Sequence, residues 1–312
     1  MTQARSRAFQ RFAVPLSWLT LAWNVLVILW GAVVRATQSG AGCGNDWPLC
    51  NGQVFPISPR IHTVIEFIHR MTTTGAVILV LALLIAVFLA TRDRAPRLWA
   101  GLSTLLLINE AFLGFLLVHL GYVTTNRSFG RVVVLSIHLT NTLLLLAALT
   151  ITAALLTYRI QSKSTTSTRL FPMLAGIFAT LLVGVTGSLA ALGDTLFPAA
   201  SFSQALLQDF ASSSPWLLRL RWVHPAMACI AAVFVGWLVV RSWKTSFRLA
   251  QSALALILLQ FVLGLMDAWL LAPVWLQVLH LFAADLLWIT LILLCFFLLR
   301  PRNSIELAAL SD

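Results

Sequence analysis

The sequence predicts an all-α, polytopic membrane protein of eight transmembrane helices, arranged as two pseudo-symmetric four-helix bundles. Three observations predict it: an apolar, charge-poor composition, eight apolar stretches of spanning length, and a weak internal repeat that divides the eight into four and four. Of the 312 residues, 60% are hydrophobic and 10% charged, with a mean hydropathy of +0.92. Soluble domains run at roughly 45–50% apolar and about 25% charged. This excludes a soluble globular enzyme, a nucleic-acid-binding domain and a disordered chain. The net charge of +11 then reads as basic residues gathered in cytoplasmic loops, where they fix orientation.

A spanning helix needs about 20 mostly apolar residues. The stretches that qualify are 14–34, 64–90, 98–120, 132–157, 170–192, 222–240, 250–271 and 276–299. The first follows Arg5, Arg7 and Arg11, yet it is longer than a signal-peptide core of roughly 7–15 residues and counts as a span. One side of the chain holds Arg5, Arg7, Arg11, Arg92, Arg94, Arg97, Arg159, Lys163, Arg169, Arg241, Lys244, Arg248, Arg300 and Arg302. The other holds Arg35, Arg60, Arg70, Arg127, Arg131, Arg219 and Arg221, a division of 14 against 7. Both termini are therefore expected in the cytoplasm and the chain in the cell membrane. Seven arginines on the outer side are more than that rule predicts.

The repeat rests on a few residues. Gly31 and Gly40 in the first span match Gly184 and Gly193 in the fifth, and Glu110 and Gly114 in the third match Gln260 and Gly264 in the seventh. His69, His138, His224 and His280 fall in spans two, four, six and eight. The offsets are 153 for Gly31, 150 for Gly114, 155 for His69 and 142 for His138. Each half has an even number of spans, so the repeat is parallel, about an axis along the membrane normal. The expected organisation is an N-terminal half at 1–157, a polar, Ser/Thr-rich, basic linker at 158–169 and a C-terminal half at 170–312.

An ionisable residue inside a span is costly and marks a functional site by default. The four histidines all lie in helices entering from the outer face, about five to seven residues inside, or roughly 8–10 Å deep. In an up-down bundle the second and fourth helices lie diagonally across the core, so His69 should meet His138 and His224 should meet His280. Two imidazoles facing across a bundle suit the axial positions of a haem iron; zinc wants about four ligands and each bundle offers two. Arg35, Arg70, Arg127, Arg131, Arg219 and Arg221 are candidates for the haem propionates, since Arg pairs bidentately with carboxylates. His62 and His119, at the mouths of spans two and three, have no counterparts and are left outside the site. Cys229 and Cys295 lie within spans and behave as small hydrophobes. Cys43 and Cys50 share the first outer loop, on the oxidising side, and are expected to form a disulfide, either a structural staple or a redox-active pair.

The segment GAVVRATQSGAGCGNDWPLCNG, followed by EFIHRMTT at 66–73, resembles the haem A synthase family, bacterial CtaA and its mitochondrial relatives. The resemblance covers nearly the whole chain. It implies oxidation of the C8 methyl of haem O to a formyl group through hydroxylated intermediates, with a haem B cofactor in the second half and haem O as substrate in the first. Carried over by motif, His224 and His280 ligate the cofactor iron, His69 and His138 stand on the substrate side, and Cys43 and Cys50 are the loop pair. Some members carry a second cysteine pair between spans five and six; the loop 193–218 has none. By the same analogy a haem O synthase supplies the substrate and the product goes to a terminal oxidase. Glu66 is the expected catalytic acid: three residues before His69, it shares a helix face with it, and Arg221 stands at the matching place before His224. The structural alternative is that Glu66 pairs with Arg70 one turn along. Two other functions compete. A diheme b-type cytochrome passing electrons to or from quinone needs the same histidines, and a transporter would use the histidines with Glu110 or Asp285 as a proton path.

Overall fold

The computed structural model describes residues 3–160, 170–299 and 305–307. Among the described residues nine α-helices carry the fold: α1 Gln3–Ala36, α2 Ile61–Ala90, α3 Arg94–His119, α4 Phe129–Thr157, α5 Leu170–Leu196, α6 Phe202–Phe210, α7 Val223–Ser242, α8 Phe247–Trp269 and α9 Val274–Leu298. All but α6 are long and apolar enough to cross a membrane. The expected eight spans are present, and the helices overrun several of the expected ends. At the N-terminus, α1 begins at Gln3 rather than near residue 14, because backbone hydrogen bonding continues where hydropathy stops.

Two elements were not expected. Helix α6 lies in the loop after α5. Ser201 Oγ accepts from the Gln204 backbone N–H at 3.2 Å and Gln204 Oε1 from the Ala200 N–H at 2.8 Å, a reciprocal cap of the Ser-x-x-Gln kind. The expected linker begins as strand β1, Tyr158–Ile160, which pairs antiparallel with β2, Ile305–Leu307. The rest of that linker, 161–169, and Lys163, Arg169, Arg300 and Arg302 lie outside the described residues.

In the first half α1 packs on α2 and α4, and α3 on the same two helices; in the second, α5 packs on α7 and α9, and α8 on those two. The halves join through α1 and α4 on one side and α5 and α9 on the other. One apolar core, including Val80, Leu83, Leu146, Leu149, Leu238 and Leu291, runs through both. Several of its buried polar groups are satisfied within their own helix, as a hydrocarbon environment favours: Thr20 Oγ1 donates to the Leu16 carbonyl and Asn24 to that of Thr20. Side-chain hydrogen bonds cross the join, among them those of Arg35 to the Ala191 carbonyl and Thr195 Oγ1. Trp288 Nε1 donates to the Leu143 carbonyl at 2.8 Å, and Arg35 Nη2 donates to Gln277 Oε1 at 2.8 Å. Ile78, Ile85, Phe171, Val233 and Leu265 face outward, as expected of surface turned to lipid.

Candidate functional site

Three of the four histidines, His69, His224 and His280, stand against a glycine of a neighbouring helix. A Cβ on Gly31 of α1 would come within 3.2 Å of His69 Cε1, and one on Gly187 of α5 within 2.9 Å of His224 Cε1. Gly264 of α8 stands against His280 at 3.4 Å. The partner of His224 is thus Gly187. Gly184, the sequence match to Gly31, packs against Leu143 instead. Glycine spacing alone favoured Gly184, because Gly40 and Gly193 lie nine residues beyond Gly31 and Gly184. Imidazole packing sets the register three residues later. His224 also sits in the first turn of α7 rather than five residues inside it. Pro225 lacks a backbone N–H and fits only a first turn, and a 3-10 turn at Leu218–Leu220 precedes the helix.

His224 and His280 are brought together. Their ring centroids are 6.3 Å apart with planes at 89°. With a metal–nitrogen bond of about 2.0–2.1 Å and a ring centre about 1.1 Å behind the nitrogen, two imidazoles on opposite sides of one ion stand about 6.3 Å apart. The centroid separation of the pair matches that spacing. His280 Nδ1 is buried without a hydrogen-bond partner, and His224 Nδ1 is 3.5 Å from Thr186 Oγ1.

In the first half, His69 lies within electrostatic reach of His138 and of Glu110. Glu110 of α3 is the residue that sequence reasoning placed only in a transporter's proton path. Its Oε1 is 3.2 Å from His138 Nδ1, off the line of a good hydrogen bond, since that nitrogen has no partner of proper geometry. The carboxylate accepts from Asn141 Nδ2 at 2.6 Å and from the Thr142 hydroxyl. Asn109 Nδ2 in turn donates to Asn141 Oδ1 at 2.8 Å. The available signal was Asn141 and Thr142 in the span that carries His138, and the carboxylate of Glu110 within the preceding span.

Glu66 is placed as the structural alternative has it. Its Oε1 accepts from Arg70 Nη2 at 2.6 Å and Nε at 3.2 Å, and its Oε2 from the Cys43 backbone N–H at 2.8 Å. Arg70 Nη1 donates onward to the carbonyls of Asp46, at 2.8 Å, and Leu49. Cys43 and Cys50 form a disulfide and are both buried. The loop lies so close on α2 that a Cβ on Gly42 would fall 2.3 Å from the His62 carbonyl oxygen; only glycine fits there. The ion pair therefore clamps the disulfide loop onto the helix that carries His69.

The outer arginines are engaged by the protein itself. Arg221, expected to suit a propionate, instead reaches Asp209 at 2.6 Å, Asp194 at 2.9 Å and the Ala205 carbonyl at 3.0 Å. Those carboxylates and the carbonyl take up its donors. Arg131 holds the carbonyls of Thr124 and Asn126, Arg127 lies over the Phe197 ring, and Arg219 donates to the Ser212 carbonyl. Arg35 bonds Ala191, Thr195 and Gln277. These arginines are thus held by groups of the protein itself. Of the histidines set aside, His62 contacts Ser39 Oγ at 3.0 Å and His119 stacks on Phe115.

Comparison with known proteins agrees with this architecture. A Thermus thermophilus protein named protoheme IX farnesyltransferase is 41% identical over 288 residues, 89% of this chain and 47% of that protein. The chain spans about half the length of this relative. Two proteins named heme A synthase match over shorter stretches. One, from an Exiguobacterium species, is 32% identical across 53% of this chain and 52% of its own length. The other, from Halalkalibacterium halodurans, is 40% identical across 31% of this chain and 33% of its own. The family of cytochrome oxidase assembly proteins designated COX15-CtaA matches residues 15–292. A match over most of the spans and all four of their histidines settles membership: the chain belongs to the COX15-CtaA family of cytochrome oxidase assembly proteins.

Proposed function

We propose that the protein is a haem A synthase, which oxidises the C8 methyl of haem O to a formyl group through hydroxylated intermediates. The observation that carries this reading is the 6.3 Å separation of His224 and His280, the spacing of two axial ligands on one ion. Among the described residues, no three or more His, Cys, Asp or Glu side chains cluster to hold a metal by themselves. Two protein ligands suit an iron whose other positions a porphyrin fills. His224 and His280 would hold haem B, which supplies one-electron redox chemistry when bound. His69 and His138 would hold the haem O substrate.

Converting a methyl to a formyl group removes four electrons and four protons overall and adds one oxygen from water. The first half provides two carboxylates to manage those protons: the half-buried Glu110 beside His138, and the buried Glu66 three residues from His69. Glu66 also keeps the disulfide loop seated over that half. The engaged state of both its oxygens favours this positioning duty over a free catalytic acid. A haem held by His224 and His280 would supply the one-electron chemistry for passing those electrons to an acceptor outside the chain.

The Thermus relative supports a partner as well. Its match to this chain occupies about half of a protein named for farnesyl transfer to protohaem, and a farnesylated haem is the substrate this reading needs. A haem O synthase is the proposed donor, and a terminal oxidase the recipient. The arginine and lysine count places both termini in the cytoplasm of the cell membrane, and the Cys43–Cys50 disulfide sits on the side that this orientation makes oxidising.

Expression in a host that makes haem O but no haem A, with the haems then extracted, tests the reading. Haem A in the extract is the expected result. Haem B alone would return the protein to an electron-transfer cytochrome, and no bound haem would leave a transporter.

A further inference from the structure

The two histidine pairs do not stand in equivalent surroundings. With the offsets of 150 for the third and seventh spans and 142 for the fourth and eighth, Asn109, Glu110, Asn141 and Thr142 correspond to Leu259, Gln260, Ala283 and Ala284. Every member of the Glu110 network is thus replaced by an uncharged or apolar residue in the second half. Gln260, in place of Glu110, donates to the backbone carbonyl of His280 at 3.0 Å; both His138 Nδ1 and His280 Nδ1 lack a well-aligned hydrogen bond, and the difference between the halves is the carboxylate. In the first half a carboxylate stands 3.2 Å from His138 Nδ1, only 17% exposed. Asn141 and the Thr142 hydroxyl fix it there, and Thr142 also bonds the His138 carbonyl at 2.9 Å. A charge at this depth in a span is expensive unless it is used or paired.

We infer that Glu110 is a positioning residue: through Nδ1 it holds the His138 ring with Nε2 directed at the substrate haem, and it places a negative charge behind that one ligand of the four. The inference rests on the first half being the haem O site. A carboxylate behind a ligating imidazole fixes its tautomer and strengthens it as a donor. It therefore favours the oxidised iron and lowers the reduction potential of the first-half haem relative to the second. Asn141 and Asn109 keep the carboxylate's direction. The same fold thus holds two haems and tunes only one, the one that is to be oxidised.

The test uses the full chain in detergent, expressed with its own haem complement and supplied with haem O as the probe. Haem content is measured and the reduction potentials are titrated optically in the wild type, Glu110→Gln, Glu110→Asp and Asn141→Ala. Two redox transitions are expected in the wild type. Glu110→Gln should shift one of them upward, the one that survives His224→Leu, and lower turnover about 10–100-fold, as for loss of a ligand's outer carboxylate. Glu110→Asp should restore most of the shift. Asn141→Ala keeps the charge and should move the potential less than Glu110→Gln does; an equal effect of the two would reduce Glu110 to a packing role and overturn the inference. Unshifted transitions in Glu110→Gln, with both haems bound, overturn it as well. A wild type that takes up one haem only, lost in His224→Leu, would instead remove the first-half haem site on which the inference rests.

Discussion

His224 of α7 and His280 of α9 face each other with ring centroids 6.3 Å apart and planes at 89°, although 56 residues separate them in the chain. The two half-buried imidazoles have no hydrogen bond to one another, and on the function proposed above they would share one haem iron. Replacing either with Leu should leave the helices folded and remove the second-half haem, so the purified protein carries about half the haem of the wild type. A pyridine haemochrome assay checks this, and undiminished haem B in both variants would dismiss the pair as ligands.

The glycines opposite the histidines offer a contrast within one residue type. Gly187→Ala puts a Cβ 2.9 Å from His224 Cε1, closer than a side chain can stand, so the imidazole must swing away. Haem occupancy should fall while the remainder of the fold persists. Gly236→Ala, in α7, meets nothing within 4 Å and should be neutral, or stabilise by about 0.5–1 kcal/mol through helix propensity. Haem content and thermal unfolding of the two variants measure the difference. Equal behaviour would mean that Gly187 is merely a small residue at a helix contact.

The eight spans were legible because a membrane imposes a length and a polarity on each one, and both are written directly in the residues. The histidines were legible for the opposite reason, as costly exceptions inside those spans. Register was not: Gly31 matched Gly184 by glycine spacing, while the structure pairs it with Gly187, and only packing against the imidazole decides between them. Helix α6 is nine residues long, too short for an apolar pattern, although its Ser201 and Gln204 cap was readable. The pairing of Tyr158–Ile160 with Ile305–Leu307 joins segments too distant and too short to predict. Glu110, Asn141 and Thr142 look like scattered polar residues in sequence; their meeting depends on how α3 packs on α4. Arg221 was read against an absent ligand, when Asp194 and Asp209 stood ready to bind it.

The disulfide between Cys43 and Cys50 should be found in protein from aerobically grown cells. Mass spectrometry without reduction should find the peptide two hydrogens lighter than its reduced form. Cys43→Ser with Cys50→Ser removes a short covalent loop, worth typically about 2–4 kcal/mol in small-loop cases. The loop stays held by Arg70 and Glu66, so the variant should fold and retain second-half haem. Unimpaired haem A formation by the double variant would make the pair a staple, and its loss with the fold intact would make it redox-active.

Glu66 and Arg70 form the buried ion pair on which the loop depends, with side chains 4% and 8% exposed. Removing one partner leaves the other charge stranded out of water, which costs about 3–5 kcal/mol, whereas replacing both with groups of similar volume is often neutral. Arg70→Met should therefore be the more damaging single change. It strands the Glu66 carboxylate and also deprives the Asp46 and Leu49 carbonyls of their donor. Glu66→Gln keeps an acceptor for the Cys43 N–H and should destabilise less. The double variant Glu66→Gln, Arg70→Met should recover part of the loss, a coupling that a thermal-unfolding cycle reads directly. Activity then divides the two roles. If Glu66 acts only through the loop, the haem A yield of each variant should follow its stability, and the double variant should exceed Arg70→Met alone. If the carboxylate also takes a proton from the substrate, Glu66→Gln should accumulate haem O or a hydroxylated haem at wild-type stability. The extracted haems and the unfolding midpoint, measured on the same preparations, decide between these outcomes.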